Sequence, residues 1–305
     1  MNTKSMTPSG TDTAAKRAKK RAETKKNIQR FLRTMFSRKI VIVGAAGTLF
    51  FVLIAIFAPL IATHDPNFIE NGQNLKDPSF QHLFGTDMYG RDLFSRIIYG
   101  ARVSLLTGVL SVLMATIIGT FLGMLAAYCG GIVDTILMRI CEVMHTIPQL
   151  AVSMTLITVL GSSMAAMAVI LCIGGIWGTL RMMRASALTI MNNDYVLAAK
   201  LSGEPMIVIL YKHVLPNSIS PIIVSATQSV GMTILMESGL SFLGVGIKVP
   251  TASWGSIINE ARTFLLTNPL YALIPCACLA FLIISLNLLG DGIRDALDPT
   301  LRGES

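Results

Sequence analysis

Charged residues are scarce in this chain of 305 residues, because Asp, Glu, Lys and Arg together make up only 14% of it. A typical soluble domain contains roughly 25% charged residues. Hydrophobic residues reach 52%, so a soluble globule of this length would lack the charge needed to cover its surface. The composition therefore excludes a soluble or disordered protein and indicates an integral membrane protein.

Cysteine is also scarce, with five residues and no C-x-x-C pair. All five cysteines lie in or beside apolar runs, where a free thiol behaves as a small hydrophobic group. This excludes a disulfide scaffold and a cysteine-based metal site. The sequence also has no G-x-x-x-x-G-K-[ST] phosphate loop, no H-E-x-x-H and no G-x-S-x-G. We therefore expect no catalytic residue, no bound cofactor and no metal site in this chain.

The net charge of +8 is concentrated at the N-terminus, where 12 of the 25 Lys and Arg residues precede Ile40. This basic run lacks aromatic interleaving and any nucleic-acid motif, so we expect no nucleic-acid partner. Lys and Arg beside a first apolar span instead hold that end in the cytoplasm and attract an anionic lipid bilayer. A signal peptide is the alternative, but the apolar run 40–62 is too long for one and Ala58-Pro59-Leu60 is a poor cleavage site.

Several stretches are long and apolar enough to cross about 30 Å of hydrocarbon. They are residues 40–62, residues 103–128, two antiparallel helices between Glu142 and Arg181 that separate at Gly161-Ser162-Ser163, residues 214–236, and residues 263–290. With the N-terminus inside, six crossings place 19 basic residues in cytoplasmic segments and 6 in extracytoplasmic ones. We therefore predict an all-α, polytopic membrane protein with six transmembrane helices and both termini in the cytoplasm.

The predicted cytoplasmic loop 181–216 is too organised to be a plain linker. Asn193 or Asp194 can cap a short helix over 195–202, and Gly203 can end it in a left-handed turn. Pro205 suits the start of a second helix, which we expect to stop before Pro216. Ala198 and Ala199 give the short helix a smooth face that another surface could approach closely. An interfacial helix without a partner is the alternative.

Few ionisable residues lie within the apolar stretches, namely Glu142, His145 and Glu237. Such residues are functional candidates by default, so an intramembrane enzyme that uses Glu142 or His145 is one alternative. Arg139 and Glu142 are three residues apart, which favours a local ion pair. A coupled carrier needs acids nearer the midplane, so the sequence favours an energy source outside the chain over an autonomous channel or carrier.

Two sets of charged residues lie beside predicted spans, one before the second span and one after the last. Before the second span, glycines punctuate a loop whose charged residues can pair at the outer surface or contact another protein. These loop residues are Gly85, Asp87, Gly90, Arg91, Asp92 and Arg96. After the last span, Asp291, Arg294, Asp295 and Asp298 form a predicted cap on the inner face.

Four motifs carry a resemblance to a known family. The loop has Ala198-Ala199-x-x-x-Gly203 followed by Leu215-Pro216, with Leu197 where the family motif usually has Glu. The others are the Gly85–Arg96 group just described, Ser241-Phe242-Leu243-Gly244-x-Gly246 with Pro250-Thr251-x-x-Trp254-Gly255, and Asn287-Leu288-x-Gly290-Asp291. In this order and placement the chain, from about Arg33 to Arg302, resembles the C-type subunits of the dipeptide/oligopeptide/nickel permeases of ABC importers.

The resemblance implies a type I ABC importer permease fold with defined segments. These are a basic cytoplasmic tail (1–39), a first transmembrane helix (40–62), an extracytoplasmic loop (63–100), a permease core with five transmembrane helices (101–291) and a cytoplasmic C-terminus (292–305). It also implies a multi-pass protein of the bacterial or archaeal plasma (inner) membrane.

The family's partners follow from the same resemblance. A second, B-type permease would complete the translocation pathway, two ATPase subunits would bind ATP and Mg, and an extracytoplasmic binding protein would deliver di- or oligopeptides. Nickel or metal chelates and glutathione are alternative substrates. The loop would couple to the ATPases through Ala198, Ala199, Gly203, Lys200, Glu204 and His213.

Overall fold

A computed structural model describes residues 35–36 and 38–297 of the chain. The predictions made for the basic tail before residue 35, and those for Asp298 and Arg302, lie outside these residues. The described part is helical, with one isolated β-bridge between Thr86 and Asp92.

Eleven α-helices are described. They are α1 (Lys39–Ile56), α2 (Ala58–Ile61), α3 (Leu93–Cys129), α4 (Gly131–Thr146), α5 (Gln149–Leu160), α6 (Met164–Met191), α7 (Asp194–Leu201), α8 (Met206–Val208), α9 (Leu215–Phe242), α10 (Trp254–Ala261) and α11 (Pro269–Leu297). A π-helical segment (Ile209–Val214) joins α8 to α9, and a 3₁₀ turn (Arg262–Phe264) follows α10.

Five of the described helices are long and apolar enough to cross a membrane, namely α1, α3, α6, the segment Met206–Phe242 that contains α9, and α11. The pair α4–α5 reaches the same criterion when it is counted as one span. The all-α prediction is therefore confirmed, and the count reaches the predicted six with this bent pair. That both termini are cytoplasmic stays a prediction.

The expected single helix between Glu142 and Gly161 is wrong. The chain bends by 94° between α4 and α5, at Ile147 and Pro148. Proline lacks a backbone N–H and disfavours helical geometry in the residue before it, and Ile147 is indeed extended. Proline at this position explains why the segment consists of two short helices.

Several boundaries also differ from the prediction, among them that of the last span, which is Pro269–Leu297 and not 263–290. The helix expected from Val103 begins at Leu93, because the Asp92 carboxylate accepts a hydrogen bond from the Ser95 backbone N–H at 2.8 Å and caps it. The first span is interrupted at Phe57, which precedes Pro59 in the first turn of α2.

The centre of the fold is the long contact between α3 and α6. Gly119 and Gly123 face α6, and a Cβ atom at either position would come within 2.7 Å of the backbone oxygen of Ile176 or Leu180. Small residues four apart let membrane helices approach this closely. Helix α9 packs on α3, α6 and α11, and α1 packs on α11.

Contacts between neighbouring helix ends define two ends of the molecule. At one end Arg38 pairs with Asp295 at 2.9 Å, and the Lys200 ammonium lies 5.1 Å from the centre of the Tyr128 ring. We call this end, with residues 192–214, the proximal end. The opposite end, with residues 62–92 and 243–268, is the distal end.

Candidate functional site

The proximal loop is built around helix α7. The helix begins where the carbonyl of Asn193 accepts hydrogen bonds from the backbone of Val196 and Leu197. Its bounds differ by one residue from those predicted, and Asn193 is the N-cap although its side chain makes no capping hydrogen bond.

A tight turn at Gly203 ends α7. Gly203 has a φ of +73°, a left-handed conformation that is costly for residues with a Cβ. Its N–H donates to the carbonyl of Lys200 at 3.1 Å, and the N–H of Glu204 donates to that of Ala199 at 3.2 Å. These two bonds form a Schellman motif, so the glycine turn predicted from the sequence is present.

The second helix of the loop does not stop before Pro216, contrary to the sequence prediction. It runs from Met206 through the π-helical segment into α9 without a break. The N–H of Leu215 donates to the carbonyl of Leu210, five residues back, and Pro216 is the second residue of α9, directly after this π-helical segment. The loop is thus mechanically continuous with a membrane-spanning helix.

Ionic contacts close the loop across its two arms. The Glu204 carboxylate lies 3.0 Å from His213 Nε2 and 3.4 Å from Lys212 Nζ. The hydrogen bond from His213, assisted by Lys212, lowers the pKa of Glu204. The structure thereby brings together Gly203, Glu204 and His213, three of the predicted coupling residues.

One prediction about α7 is wrong. Ala199 does not present a smooth face with Ala198, because Ala199 is buried with Val196 against the chain's own hydrophobic cluster, which includes Met183 and Leu210. Ala198 is exposed, as expected of a contact residue. The orientation of α7 therefore leaves only part of the Ala-Ala pair accessible.

The exposed side of α7 carries apolar residues that were not predicted from the sequence as contact residues. Tyr195 and Leu197 are exposed, and Leu201 is 90% exposed. Leu197 and Leu201 are four residues apart and share one face of the helix, a spacing that could have revealed them. This apolar face is part of the accessible surface of the proximal loop.

The distal end holds a buried ion cluster. Arg91 Nη2 lies 2.9 Å from Glu260, Arg96 Nε lies 3.2 Å from Asp87, and the Tyr271 hydroxyl donates to Glu260 at 3.0 Å. Asp87, Arg91 and Arg96 were expected at the outer surface, but all three are buried. These residues are buried because α10 covers the loop and supplies Glu260 as a partner for the two arginines.

The remaining residues of the Gly85–Arg96 group shape the same loop. Gly85 and Gly90 adopt left-handed φ values of +80° and +79° at turns. Asp92 caps α3, as described above. Glu260 and Tyr271 were missed because they lie far along the sequence from the motif they complete.

Comparisons with known proteins agree with this architecture. The family model "Binding-protein-dependent transport system inner membrane component" matches residues 119–303, and "N-terminal TM domain of oligopeptide transport permease C" matches residues 27–79. The chain belongs to this family of binding-protein-dependent permeases.

Three curated relatives of the permease have informative names. It is 38% identical to the dipeptide transport system permease protein DppC of Alkalihalophilus pseudofirmus over 87% of each chain. It is 37% identical to the probable D,D-dipeptide transport system permease protein DdpC of Escherichia coli, over 96% of this chain and 98% of the relative. It is 36% identical to the glutathione transport system permease protein GsiD of Pectobacterium atrosepticum, over 89% and 91%.

Family membership makes the chain a multi-pass membrane protein and the permease subunit of an ABC importer. A permease subunit transports solute, so family membership does not support the alternative of an intramembrane enzyme. The two residues invoked for that alternative have local partners: Glu142 pairs with Arg139 at 2.8 Å, as predicted, and His145 Nδ1 bonds to the carbonyl of Cys141 at 2.9 Å on its own helix.

Glu237 of the permease is buried near the distal end. Its carboxylate accepts hydrogen bonds from Ser241 at 2.9 Å and from Ser104 at 3.2 Å. The Ser104 hydroxyl in turn accepts from the backbone N–H of Trp254 at 3.4 Å, and the Trp254 indole N–H donates to the carbonyl of Ile97 at 3.0 Å. Glu237 thus joins α9, α3 and α10 where they meet.

Proposed function

We propose that this permease imports small peptides across a bacterial inner membrane, driven by ATPase subunits that dock on α7. Two of the three relatives described above are named for dipeptides or D,D-dipeptides and the third for glutathione, itself a small peptide. Free nickel and metal chelates receive no comparable support. Small peptides are the substrate class that all three names share.

The observation that carries the coupling role is the construction of the proximal loop. The exposed face of α7 bears Leu197 and Leu201, while its opposite face is fixed by Val196 and Ala199. An exposed apolar patch of this kind is typical of a protein-contact site. Two ATPase subunits, each with ATP and Mg, are the partners that the family membership suggests for this face.

Movement of α7 would be transmitted to two spans at once. Residues 192–193 connect α7 directly to α6, and the Schellman turn with the Glu204–His213 contact connects it to the continuous helix Met206–Phe242. A ligand shifts a two-state equilibrium only through different affinities for the two states. Nucleotide-dependent closure of the ATPases supplies that difference and tips α6 and α9 together.

The permease forms half of the pathway, and a second, B-type permease supplies the other half. The bent pair α4–α5 supports this division, because α4 exposes apolar residues such as Ile132 and Ile136. A cavity of about 240 Å³ lies at the bend, lined by residues that include Pro148, Ser153 and Trp177. An extracytoplasmic binding protein would deliver the peptide at the distal end.

A Gly203→Val substitution tests the coupling role. Valine is strained at a φ of +73°, by about 1–2 kcal/mol or more, so the turn should lose its geometry and α7 its fixed position. In the reconstituted complex we expect ATP hydrolysis to continue while peptide uptake falls at least tenfold. Both rates are measured in the same proteoliposomes.

Gly161→Val is the matched control. Gly161 has a φ of +83° and open space around it, as Gly203 has, but it lies in the connection from α5 to α6. We expect this variant to keep the wild-type ratio of uptake to hydrolysis. Normal uptake by an assembled Gly203→Val complex, or equal uncoupling by both variants, would contradict the proposal.

Competition between substrates tests the peptide assignment. Uptake of a labelled dipeptide into proteoliposomes that contain the complex and its binding protein should be inhibited by unlabelled dipeptides, and more weakly by glutathione. Stronger inhibition by glutathione would assign the transporter to that tripeptide, and inhibition only by nickel chelates would reject the peptide class.

A further inference from the structure

Three potential metal ligands converge at the distal end, next to the buried ion cluster, since Asp92 directly follows Arg91. His64 follows α2, His82 lies in the middle of the connection to α3, and Asp92 caps α3. His82 Nδ1 lies 2.9 Å from Asp92 Oδ1, and His64 Nδ1 lies 3.8 Å from Asp92 Oδ2. One ligand atom from each residue lies within 4.8 Å of those of the other two.

The chemistry of the three groups fits zinc. Zn²⁺ binds imidazole nitrogen and carboxylate oxygen at roughly 2.0–2.2 Å in tetrahedral sites, so neighbouring ligand atoms stand about 3.3 Å apart. Each imidazole nitrogen lies near this spacing from one of the two Asp92 oxygens, His82 Nδ1 at 2.9 Å from Oδ1 and His64 Nδ1 at 3.8 Å from Oδ2. Two imidazoles and one carboxylate leave a fourth position open to water or to an external ligand.

The surroundings hold these ligands in place. Asp92 Oδ2 accepts hydrogen bonds from the Ser95 backbone N–H at 2.8 Å and from the Thr63 hydroxyl at 3.3 Å. Glu70 lies 3.6 Å from His82 Nε2, the ring nitrogen that points away from Asp92. A carboxylate on the second nitrogen of a ligating histidine fixes the ring and makes it a better ligand.

Two of the three ligands are buried and the third is partly exposed. The side chains of Asp92 and His82 are 1% and 8% exposed, whereas that of His64 is 39% exposed. The two inner ligands are therefore shielded from competing solvent, and an ion can enter past His64. The His64 and His82 rings lie 4.9 Å apart, centre to centre.

We propose that His64, His82 and Asp92 form a site for a divalent transition-metal ion, with Zn²⁺ as the ion of choice. The bound ion would join the end of the first span, the middle of the connection and the start of α3. It would restrain the distal loop in addition to the Glu260 cluster. This site is separate from the transported substrate and from the ATP-binding partners.

The test uses the complete transporter purified with a non-histidine affinity tag and freed of metal with a chelator. ZnCl₂ is titrated by calorimetry, bound zinc is counted by mass spectrometry after desalting, and Co²⁺ provides a visible absorption spectrum. We expect one Zn²⁺ equivalent in the wild type that is missing, or bound at least tenfold more weakly, in His64→Ala, His82→Ala and Asp92→Asn variants.

The variants separate ligation from folding. Asn is as good an N-cap as Asp, so Asp92→Asn preserves the start of α3 while it weakens a metal ligand. Glu70→Gln should lower zinc affinity by about 10- to 100-fold through the His82 ring. His145 is not one of the three ligands, so a His145→Ala variant should bind zinc as the wild type does. Equal zinc binding by the wild type and by the His64 and His82 variants, or no bound equivalent in the wild type, would overturn the proposal.

Discussion

Arg96 is fully buried, and its guanidinium lies between Asp87 and Glu260 at the distal end. Arg91 contacts the same two carboxylates. The positive charges of two arginines and the negative charges of two carboxylates thus cancel in a buried part of the protein. The residues of this cluster come from the distal loop, α3 and α10, so their charge balance holds three elements together.

Arg96→Met should destabilise the permease strongly. Breaking a buried ion pair by removing one partner costs about 3–5 kcal/mol, because a buried charge is left uncompensated. We expect a large fall in the apparent unfolding temperature of the purified complex. Arg102→Met, an exposed arginine further along the same helix, should leave this temperature close to that of the wild type.

A double variant shows whether Arg96→Met lowers stability through lost charge or through lost packing. Arg96→Met combined with Glu260→Gln restores the charge balance and should recover part of the lost stability. If the single and double variants unfolded at the same temperature, the effect would be one of packing and not of charge.

Among the secondary-structure elements, α3 and α6 form the contact on which the other helices are arranged. Gly123 lies where a Cβ would come within 2.6 Å of the Leu180 carbonyl and 2.7 Å of the Met183 Cβ. Both neighbours are parts of a second helix that cannot move independently. The close approach therefore depends on the absence of a side chain at this position.

Gly123→Leu should force α3 and α6 apart, at a cost of at least the 1–3 kcal/mol typical of overpacking. We expect lower yield of assembled transporter and a lower unfolding temperature. Gly178→Leu is the matched control, since Gly178 is a helical glycine on α6 with open space around it. If both variants were destabilised equally, the close contact at Gly123 would not be the cause of the lost stability.

Local chemistry made some elements predictable from the sequence. Apolar length revealed the spans, and the Asn193–Gly203 segment revealed α7 and its turn, because caps and left-handed glycines act within a few residues. Pro148 was a readable signal for the bend between α4 and α5 that span-counting overlooked. Likewise, Asp92 was a readable N-cap for α3.

Long-range contacts could not be read in this way. Glu260 meets Arg91 across 169 positions of the chain, and nothing near Arg91 in the sequence indicates that partner. Ala199 turned out to be buried because the rotation of α7 is set by Met183 and Leu210 on other elements. Similarly, His64 and His82 belong to no motif, and only the folded connection brings them to Asp92.

At the scale of the whole molecule, the proximal and distal ends have different surfaces. The proximal end offers the apolar face of α7, which is directly connected to α6 and α9. The distal end is held by the Glu260 cluster and by the proposed zinc site. This asymmetry suits a subunit that receives mechanical work at one end and solute at the other.

Photo-crosslinking from α7 tests the central claim most directly. Benzoylphenylalanine is placed at Leu201, which is 90% exposed at the proximal end, or at Leu266, which is 99% exposed at the distal end. Native membranes that contain the complex are irradiated, and the crosslinked polypeptides are identified by mass spectrometry. We predict that position 201 crosslinks to a polypeptide with a G-x-x-x-x-G-K-[ST] phosphate loop and that position 266 does not. Failure of position 201 to capture such an ATPase in a complex that hydrolyses ATP, or its capture from position 266, would contradict the account.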